Sequence, residues 1–310
     1  MPELPEVETI ARGLAAHVLG EKVREVRTWH PRSTRRQSGG AETFMQLLSA
    51  SRFTQVRRRG KFMWFELDRP GASEDLALVI HLGMSGQIYV SNAGEEDARL
   101  GRRPHEHVRL LLEGGSVVSF VDQRTFGHLQ VVPTIADPWG GPIPIPRSLT
   151  HIAPDPLEEA FTPEAVAARW RASQAPIKAG LLNQGLVSGI GNIYADESLH
   201  RCGVHGARRG RNLRVWECLS LLETAQKVMR KAISEGGTSF DALYVDVSGE
   251  PGYFAHSLVA YGRGGEPCLG CGQQLQTTVV AGRSHVFCPV CQPRSKPRPV
   301  GHCPSLPALG

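Results

Sequence analysis

The feature that most constrains this chain is a set of four cysteines near its C-terminal end, arranged as two CxxC pairs. Their spacing is Cys268-x2-Cys271-x16-Cys288-x2-Cys291, which predicts four thiolates around one tetrahedral zinc ion on a β-hairpin. Four thiolate ligands leave no coordination position for water or substrate, so we expect the Zn2+ to be structural. On its own, such a module indicates only a small lobe that a metal stabilises.

The remaining composition is typical of a large intracellular globular protein. The chain has 310 residues, 41% of them hydrophobic, which is enough for two lobes with cores of their own. Cys202, Cys218 and Cys303 lie outside the CxxC pairs in no framework spacing, which favours a reducing compartment. No apolar run approaches the ~20 residues of a membrane span, and Glu3 and Glu6 stand where a signal peptide would be basic. We therefore expect a cytoplasmic protein without a membrane partner.

The basic residues of the chain are clustered rather than evenly spread. Lysine and arginine number 35 against 30 acidic residues, for a formal net charge of +5. Four basic clusters fall at residues 24–36, 57–61, 201–214 and 294–298. One such cluster is more often a solvated face than a binding surface, but several of them on a chain with a zinc ribbon favour nucleic acid as the partner.

Hydrophobic periodicity divides the chain into a β-rich first part and a helical second part. An amphipathic helix is predicted from Val7 to Val18, because apolar side chains recur there at helical spacing. Residues 137–150 are rich in Pro and Gly, which suit neither a helix nor a sheet interior and therefore predict a linker. The other predicted elements are strands within residues 51–67, 76–90 and 107–122, and helices from Pro163 with Thr162 as N-cap, within 177–184 and 192–200, and from about 212 to 235.

Five short motifs, in order along the chain, resemble the formamidopyrimidine-DNA glycosylase family. They are MPELPEVET, HLGMSG, GIGNIYADE, the stretch from GEPGYF to YGRGGEPC, and the four-cysteine ribbon, and together they extend from residue 2 to about residue 292. The resemblance implies a bifunctional base-excision repair enzyme, which removes oxidised purines such as 8-oxoguanine and formamidopyrimidines from duplex DNA. Such an enzyme then cleaves the strand by β,δ-elimination, and we expect it to act as a monomer on damaged double-stranded DNA.

The resemblance also implies an α+β fold of two lobes. The first would be a catalytic β-sandwich with an N-terminal helix, and the second a helix–two-turn–helix lobe with a zinc hairpin. A loop in the second part would close over the everted base. The expected boundaries are residues 2–136 for the first lobe, 137–150 for the linker, 151–258 for the helical lobe with its loop at about 236–254, 259–292 for the zinc hairpin, and 293–310 for a disordered tail.

Four residues are expected to carry the chemistry. Removal of Met1 would expose the secondary amine of Pro2 as a nucleophile for C1′ of the deoxyribose; a free α-amine with a pKa of about 7.7–8.0 is partly neutral near pH 7. Glu3 would protonate the sugar ring oxygen, although its position alone also suits a helix start. By resemblance, Lys61 donates a proton during β-elimination, and Arg283 holds the phosphates beside the lesion with its planar guanidinium.

Five further residues are expected to contact DNA. Chemistry on a base inside a duplex requires that the base be extruded. Met84 and Phe126 match the family's wedge into the base stack, and Arg124 matches the residue that bonds the orphaned partner base. His105 and Asn192 match contacts to the DNA strand. Without the resemblance, Met84 and Phe126 would be assigned to the core, and His105 would be a structural histidine.

The chain departs from the family pattern at three positions. The motif DQRTFG has Gln123 and Thr125 where the family usually has Pro and Arg, which leaves open how the wedge loop is held. Ser173 stands where many relatives carry a basic residue, which leaves one phosphate contact open.

Two other functions remain open at the level of the sequence. The endonuclease VIII branch removes oxidised pyrimidines, but it usually has Gly where this chain has Leu4. A non-catalytic DNA-binding zinc protein on the same fold would have no reason to keep Pro2, Glu3 and Lys61 together.

Overall fold

The computed structural model describes residues 2–91, 101–238 and 252–294, which form two compact units. The first unit takes in the described residues within Met1–His151 and Glu235–Tyr253, and the second takes in those within Ile152–Ser234 and Phe254–Gly310. Sheets dominate the first unit and helices the second, so the predicted α+β class is confirmed. None of the helices in the described ranges has both the length and the apolar content needed to cross a bilayer.

Two antiparallel sheets in the first unit share one hydrophobic core. The four-stranded sheet has the order β1-β6-β7-β5, and the five-stranded sheet has the order β2-β3-β4-β8-β9. The strands are β1 (Val23–Thr28), β2 (Arg52–Arg59), β3 (Phe62–Asp68), β4 (Leu76–His81), β5 (Gly86–Ser91), β6 (Glu106–Leu112), β7 (Val117–Asp122), β8 (His128–Ile135) and β9 (Ile145–Pro146).

Helix α1 (Leu4–Val18) packs against strands β2 and β3. Its apolar side chains recur every three or four residues and are buried, as expected of a helix with one face on a core. The helix begins earlier than the apolar periodicity indicated, because Pro5 suits the first turn and Glu3 serves as the N-cap. A second helix, α2 (Gly40–Leu48), buries Phe44 and Leu48.

The predicted strand region 76–90 belongs to both sheets rather than to one. Strand β4 pairs within the five-stranded sheet, whereas β5 pairs within the four-stranded sheet. Residues 82–85 therefore connect the two sheets, and this connection contains Met84. The region 107–122 contains strands, as predicted, and they pair as the antiparallel hairpin of β6 and β7.

The predicted linker, residues 137–150, is part of the first unit rather than a free connection. Strand β9 pairs with the end of β8 at the edge of the sheet, where a proline is tolerated because its missing N–H faces no neighbour. Asp137 pairs with Arg59, and the indole N–H of Trp139 donates to the carbonyl of Thr150 at 3.0 Å. The ion pair and the β8–β9 pairing hold the segment on the sheet, and the Trp139 bond connects two parts of the segment itself.

The second unit consists of four α-helices and the zinc hairpin within the described residues. Pro163 opens the first of them after the N-cap Thr162, as predicted. The longest helix begins three residues later than predicted, because Gly210–Asn212 form a short 3-10 helix. The elements are α3 (Pro163–Arg171), α4 (Ile177–Leu182), α5 (Asn192–Arg201), α6 (Val215–Ser234), β10 (Gln276–Val280) and β11 (Arg283–Phe287).

Candidate functional site

The first turn of helix α1 fixes the N-terminal site residues. Pro2 is buried, and the next residue, Glu3, is 3% exposed and forms a capping box with Glu6. The Glu3 N–H donates to Glu6 Oε2 at 2.9 Å, while the Glu3 carboxylate accepts from the Glu6 N–H. The other oxygen of Glu6 accepts the N–H of Thr238 at 2.9 Å. Glu3 therefore has the helix-start role that its position suggested, and its carboxylate is held beside Pro2.

Lys61 lies in the tight turn between β2 and β3 and is 8% exposed. Gly60, with φ of 56°, supplies the left-handed residue that the turn needs. The three arginines before it form ion pairs with acids from other elements: Arg57 with Glu66, Arg58 with Glu8 and Arg59 with Asp137. Burial by itself raises the pKa of Asp137, but the hydrogen bond and charge of Arg59, together with backbone hydrogen bonds, lower the pKa overall. The arginines of this basic cluster are therefore held in place by ion pairs, next to the turn that contains Lys61.

His81, at the end of β4, is a neighbour of Lys61 that the sequence patterns did not indicate. Burial, reinforced by repulsion from Lys61, lowers the pKa of His81 to about 4. Its Nδ1 accepts the N–H of Gly83 at 3.2 Å, so the neutral ring carries its proton on Nε2. The ring contacts Phe62 in a tilted arrangement with 4.5 Å between centroids, and the His128 ring lies at 5.4 Å. The sequence signal that could have indicated His81 as a site residue is its position in the HLGMSG motif, three residues before Met84.

Met84 and Phe126 are exposed, at 38% and 46%, so neither belongs to the core. They lie on neighbouring loops, because a Cβ built on Gly83 would stand within 2.9 Å of the Phe126 Cβ. Arg124 joins the two loops through a 2.7 Å hydrogen bond from its guanidinium to the Met84 carbonyl. The structure therefore brings together the three predicted wedge residues.

Asp122 and Arg35 hold the wedge loop by its backbone. The buried carboxylate of Asp122 accepts the N–H of Arg124 at 3.2 Å and that of Gly127 at 2.7 Å. Arg35 donates to the carbonyls of Phe126 and Gly127, each at 2.7 Å. His105 is exposed, has a left-handed φ of 57°, and accepts the N–H of Asp122 at its carbonyl. Its backbone therefore lies at the base of this loop.

In the second unit, Asn192 and Arg283 each begin a regular element. Asn192 is the first residue of α5, where the positive end of the helix dipole favours anions. Its Oδ1 is buried and has no hydrogen-bond partner among the described residues. Arg283 is the exposed first residue of β11 and follows a turn in which Ala281 and Gly282 have positive φ.

The four predicted zinc ligands converge at the base of the β10–β11 hairpin. Their sulfur atoms all lie within 4.8 Å of one another, with Cys271 and Cys288 at 3.5 Å and Cys268 and Cys291 at 4.0 Å. Zn–S bonds of about 2.3 Å in a tetrahedron require sulfurs about 3.8 Å apart, which these separations match. The residues fit one structural zinc, as predicted. Cys303 lies outside the described residues, as do positions 239–251 of the predicted lesion loop.

Comparison with protein families gives matches along the chain. The formamidopyrimidine-DNA glycosylase N-terminal domain matches residues 1–129, the H2TH domain of the same glycosylase matches residues 152–242, and a zinc finger found in FPG and IleRS matches residues 265–294. The chain is 48% identical over 297 residues to the formamidopyrimidine-DNA glycosylase of Corynebacterium urealyticum, covering 94% of this chain and 99% of the relative.

Solved structures give the same resemblance. The chain is similar to the MutM (Fpg) protein of Thermus thermophilus, with 36% identity, a TM-score of 0.78, and coverage of 95% of this chain and 100% of that one. It is also similar to Lactococcus lactis Fpg in complex with DNA containing an abasic site, with 29% identity, a TM-score of 0.78, and coverage of 94% and 99%.

Proposed function

The chain belongs to the formamidopyrimidine-DNA glycosylase family of zinc-containing DNA-repair glycosylases, and we propose that it excises oxidised purines from duplex DNA and then cleaves the strand. The observation that carries the proposal is the N-terminal arrangement, in which a buried Pro2 precedes a carboxylate fixed by the capping box of Glu3 and Glu6. An amine nucleophile and an acid held side by side are what Schiff-base chemistry at a sugar requires. Its substrates are 8-oxoguanine and formamidopyrimidines.

In the first step, the Pro2 nitrogen forms a bond to C1′ as the N-glycosidic bond breaks and the oxidised base leaves. Glu3 protonates the ring oxygen, the sugar opens, and the Pro2 nitrogen loses its proton to give an iminium. The iminium withdraws electrons from C2′, so loss of a C2′ proton expels the 3′ phosphate, and a second elimination expels the 5′ phosphate. Lys61 serves as proton donor in the first elimination.

The remaining residues bind and deform the duplex. Met84 and Phe126 enter the base stack while Arg124 leaves the Met84 carbonyl to bond the orphaned base. His105, Asn192 and Arg283 bind the DNA strand. The four cysteines hold the zinc, which supplies folding free energy for the hairpin that carries Arg283 and takes no part in the chemistry.

Borohydride trapping tests the proposal directly, because an iminium is reducible. We expect a covalent adduct between the protein and a duplex containing 8-oxoguanine, mapped by peptide mass spectrometry to the nitrogen of Pro2. Retention of Met1 should abolish most of the trapping, whereas Pro2→Gly, which keeps an α-amine, should reduce it mildly. An adduct on Lys61 would overturn the assignment of the nucleophile.

A panel of duplexes, each with one defined lesion, separates this proposal from its rivals. Fastest cleavage of an oxidised-pyrimidine duplex would favour the endonuclease VIII branch. Binding to every duplex with neither cleavage nor an adduct would indicate a non-catalytic DNA-binding protein. The monomeric state and the cytoplasmic location expected from the sequence stay predictions.

A further inference from the structure

A buried polar cluster in the second unit joins α4, α5 and β11. It consists of Lys178, Asp196 and His285, one from each element and all fully buried. Lys178 Nζ lies 2.7 Å from Asp196 Oδ1, and His285 Nδ1 lies 2.6 Å from the same oxygen. We call these three residues the clasp. Buried charges are stable only when they are paired and hydrogen-bonded, so the clasp permits few alternative arrangements.

The three consecutive residues that follow Arg283 either belong to the clasp or are hydrogen-bonded to it. Lys178 donates to the Ser284 carbonyl, His285 donates through its ring, and the Val286 N–H donates to Asp196 Oδ2 at 3.2 Å. The protonation of His285 follows from its other nitrogen, Nε2, which accepts the N–H of Gly206 at 3.0 Å. The ring is therefore neutral with its proton on Nδ1, directed at Asp196.

On the helix side, the clasp lies one turn from Asn192. Asp196 is four residues further along α5, and residues with this spacing share one face of a helix. The face of α5 that carries Asn192 is thus bonded to the strand that begins with Arg283. The zinc ligands fold the hairpin on itself, but they come from residues 268–291 and do not include α5. The position of β11 against α5 depends on contacts such as those of the clasp.

From these contacts we infer that the clasp couples Asn192 and Arg283, so that the two side chains bind successive parts of the DNA backbone as one preset unit. His285 is the positioning residue that completes this coupling through Asp196. The inference rests on the proposed function, because it takes both side chains to be phosphate contacts. Phosphates are regularly spaced along a strand, so contacts held at a fixed separation avoid the ordering cost that independent side chains incur on binding.

A double-mutant cycle on the full-length, zinc-loaded chain tests the coupling. The dissociation constant for a duplex containing a stable tetrahydrofuran abasic analogue is measured for the parent, Asn192→Ala, Arg283→Ala and the double variant. In the parent background, the combined effect should differ from the product of the single effects by at least about threefold, as for residues in one network. The cycle is then repeated in two variants of His285.

The two His285 variants differ in where they place a donor. His285→Asn keeps an N–H near the Nδ1 position and should retain the coupling. His285→Gln places its amide near the Nε2 position. In this background the combined effect of the two alanine substitutions should equal the product of their single effects to within about twofold. The control is His205→Asn, because this buried ring lies 5.2 Å from the His285 ring but hydrogen-bonds to Ala207 instead of Asp196. It should lower the melting temperature and leave the coupling intact.

The outcomes separate the inference from the proposed function. If neither Asn192→Ala nor Arg283→Ala weakens binding, the phosphate contacts of the proposed function are wrong. If both substitutions weaken binding but their combined effect equals the product of their single effects in the parent background, the clasp does not couple Asn192 and Arg283. Coupling that persists in His285→Gln would overturn the role of His285. Zinc content and a cooperative melt are measured for each variant, and loss of coupling in His205→Asn as well would reduce the clasp to a packing role.

Discussion

Replacement of Asp122 by Asn should release the wedge loop while the first unit stays folded. Asp122 is fully buried, and its carboxylate accepts three hydrogen bonds. Oδ1 accepts the Ser85 hydroxyl and the Arg124 N–H, and Oδ2 accepts the Gly127 N–H at 2.7 Å. An asparagine has one acceptor oxygen and one donating amide. If the oxygen keeps the bonds on Oδ1, the amide opposes the Gly127 N–H, and a buried donor is left unsatisfied.

The cost follows from the bonds that change. A hydrogen bond to a charged group contributes about 1.5–3 kcal/mol, and an unsatisfied buried donor costs about 1–3 kcal/mol. These two energies partly describe the same Gly127 N–H and cannot simply be added. We therefore expect the free energy of unfolding to fall by about 2–4 kcal/mol. A domain stability of about 5–15 kcal/mol would leave the protein folded at 25 °C. Phe126 directly precedes Gly127, so its ring would lose its fixed direction.

Two measurements check this prediction for Asp122→Asn. Urea unfolding gives the stability, and single-turnover cleavage of an 8-oxoguanine duplex gives the rate of the step that requires extrusion. We expect the rate to fall at least about tenfold, which is about 1.4 kcal/mol in the barrier, while affinity for undamaged duplex changes little because the phosphate contacts remain. Ser85→Ala is the matched control, since it removes one bond to the same carboxylate but leaves the Gly127 N–H satisfied. Unchanged stability and rate in Asp122→Asn would refute the reasoning.

Two further predictions concern the zinc site and pH. Cys288→Ser should unfold the hairpin, because structural zinc contributes on the order of 10 kcal/mol in small modules. We expect the variant to lose zinc and cleavage activity but to retain its helical content, measured by circular dichroism. Undiminished cleavage would refute the role of Arg283. Stability should also fall between pH 6.5 and pH 4, because burial, followed by repulsion from neighbouring charges, lowers the pKa of His81 to about 4 and that of His128 to about 3. The unfolded histidines take up protons first, near pH 6.5, so each contributes a loss of up to about 1.4 kcal/mol per pH unit as pH falls. His128→Leu should flatten this fall in urea titrations, and an unchanged slope would contradict the assignment.

Regular elements with strong periodicity could be predicted from the sequence, whereas weakly patterned ones could not. The apolar stripe of α1 has a helical period, and the β6–β7 hairpin has a Glu-Gly-Gly turn sequence between two apolar runs. Strand β1, with the sequence VREVRT, mixes charges with few apolar residues, and α2 has a glycine with positive φ both as its N-cap (Gly39) and as its first residue (Gly40), so neither has a local signal. The division of residues 76–90 between two sheets depends on strand pairing, which periodicity within a strand does not specify.

The pairing of the charged side chains at the site is even harder to predict from the sequence than the weakly patterned elements. Arginines 57–59 form a basic cluster in the sequence, but each is paired with an acid: Arg57 with Glu66 of the next strand, and Arg58 and Arg59 with acids from distant positions. Glu6 is bonded to Thr238, which is 232 positions away. By contrast, the arrangement of Pro2 and Glu3 is local, because it depends on the start of one helix. Local chemistry can thus be predicted from a motif, but the pairing that decides which charges remain available is a property of the tertiary structure.

The departures of DQRTFG from the family pattern can now be explained by how the loop is anchored. Asp122 and Arg35 bond to backbone atoms of Arg124, Phe126 and Gly127, and these bonds use no side chain from position 123 or 125. Thr125 has a φ of 56°, which is unfavourable for a β-branched residue by about 1–3 kcal/mol. Such strain persists only where surrounding bonds fix the backbone, and here they do so on both sides of Thr125. The wedge direction therefore depends on Asp122 and Arg35, so exchanging Gln123 and Thr125 for the family residues should alter the strain of the loop more than the position of Phe126.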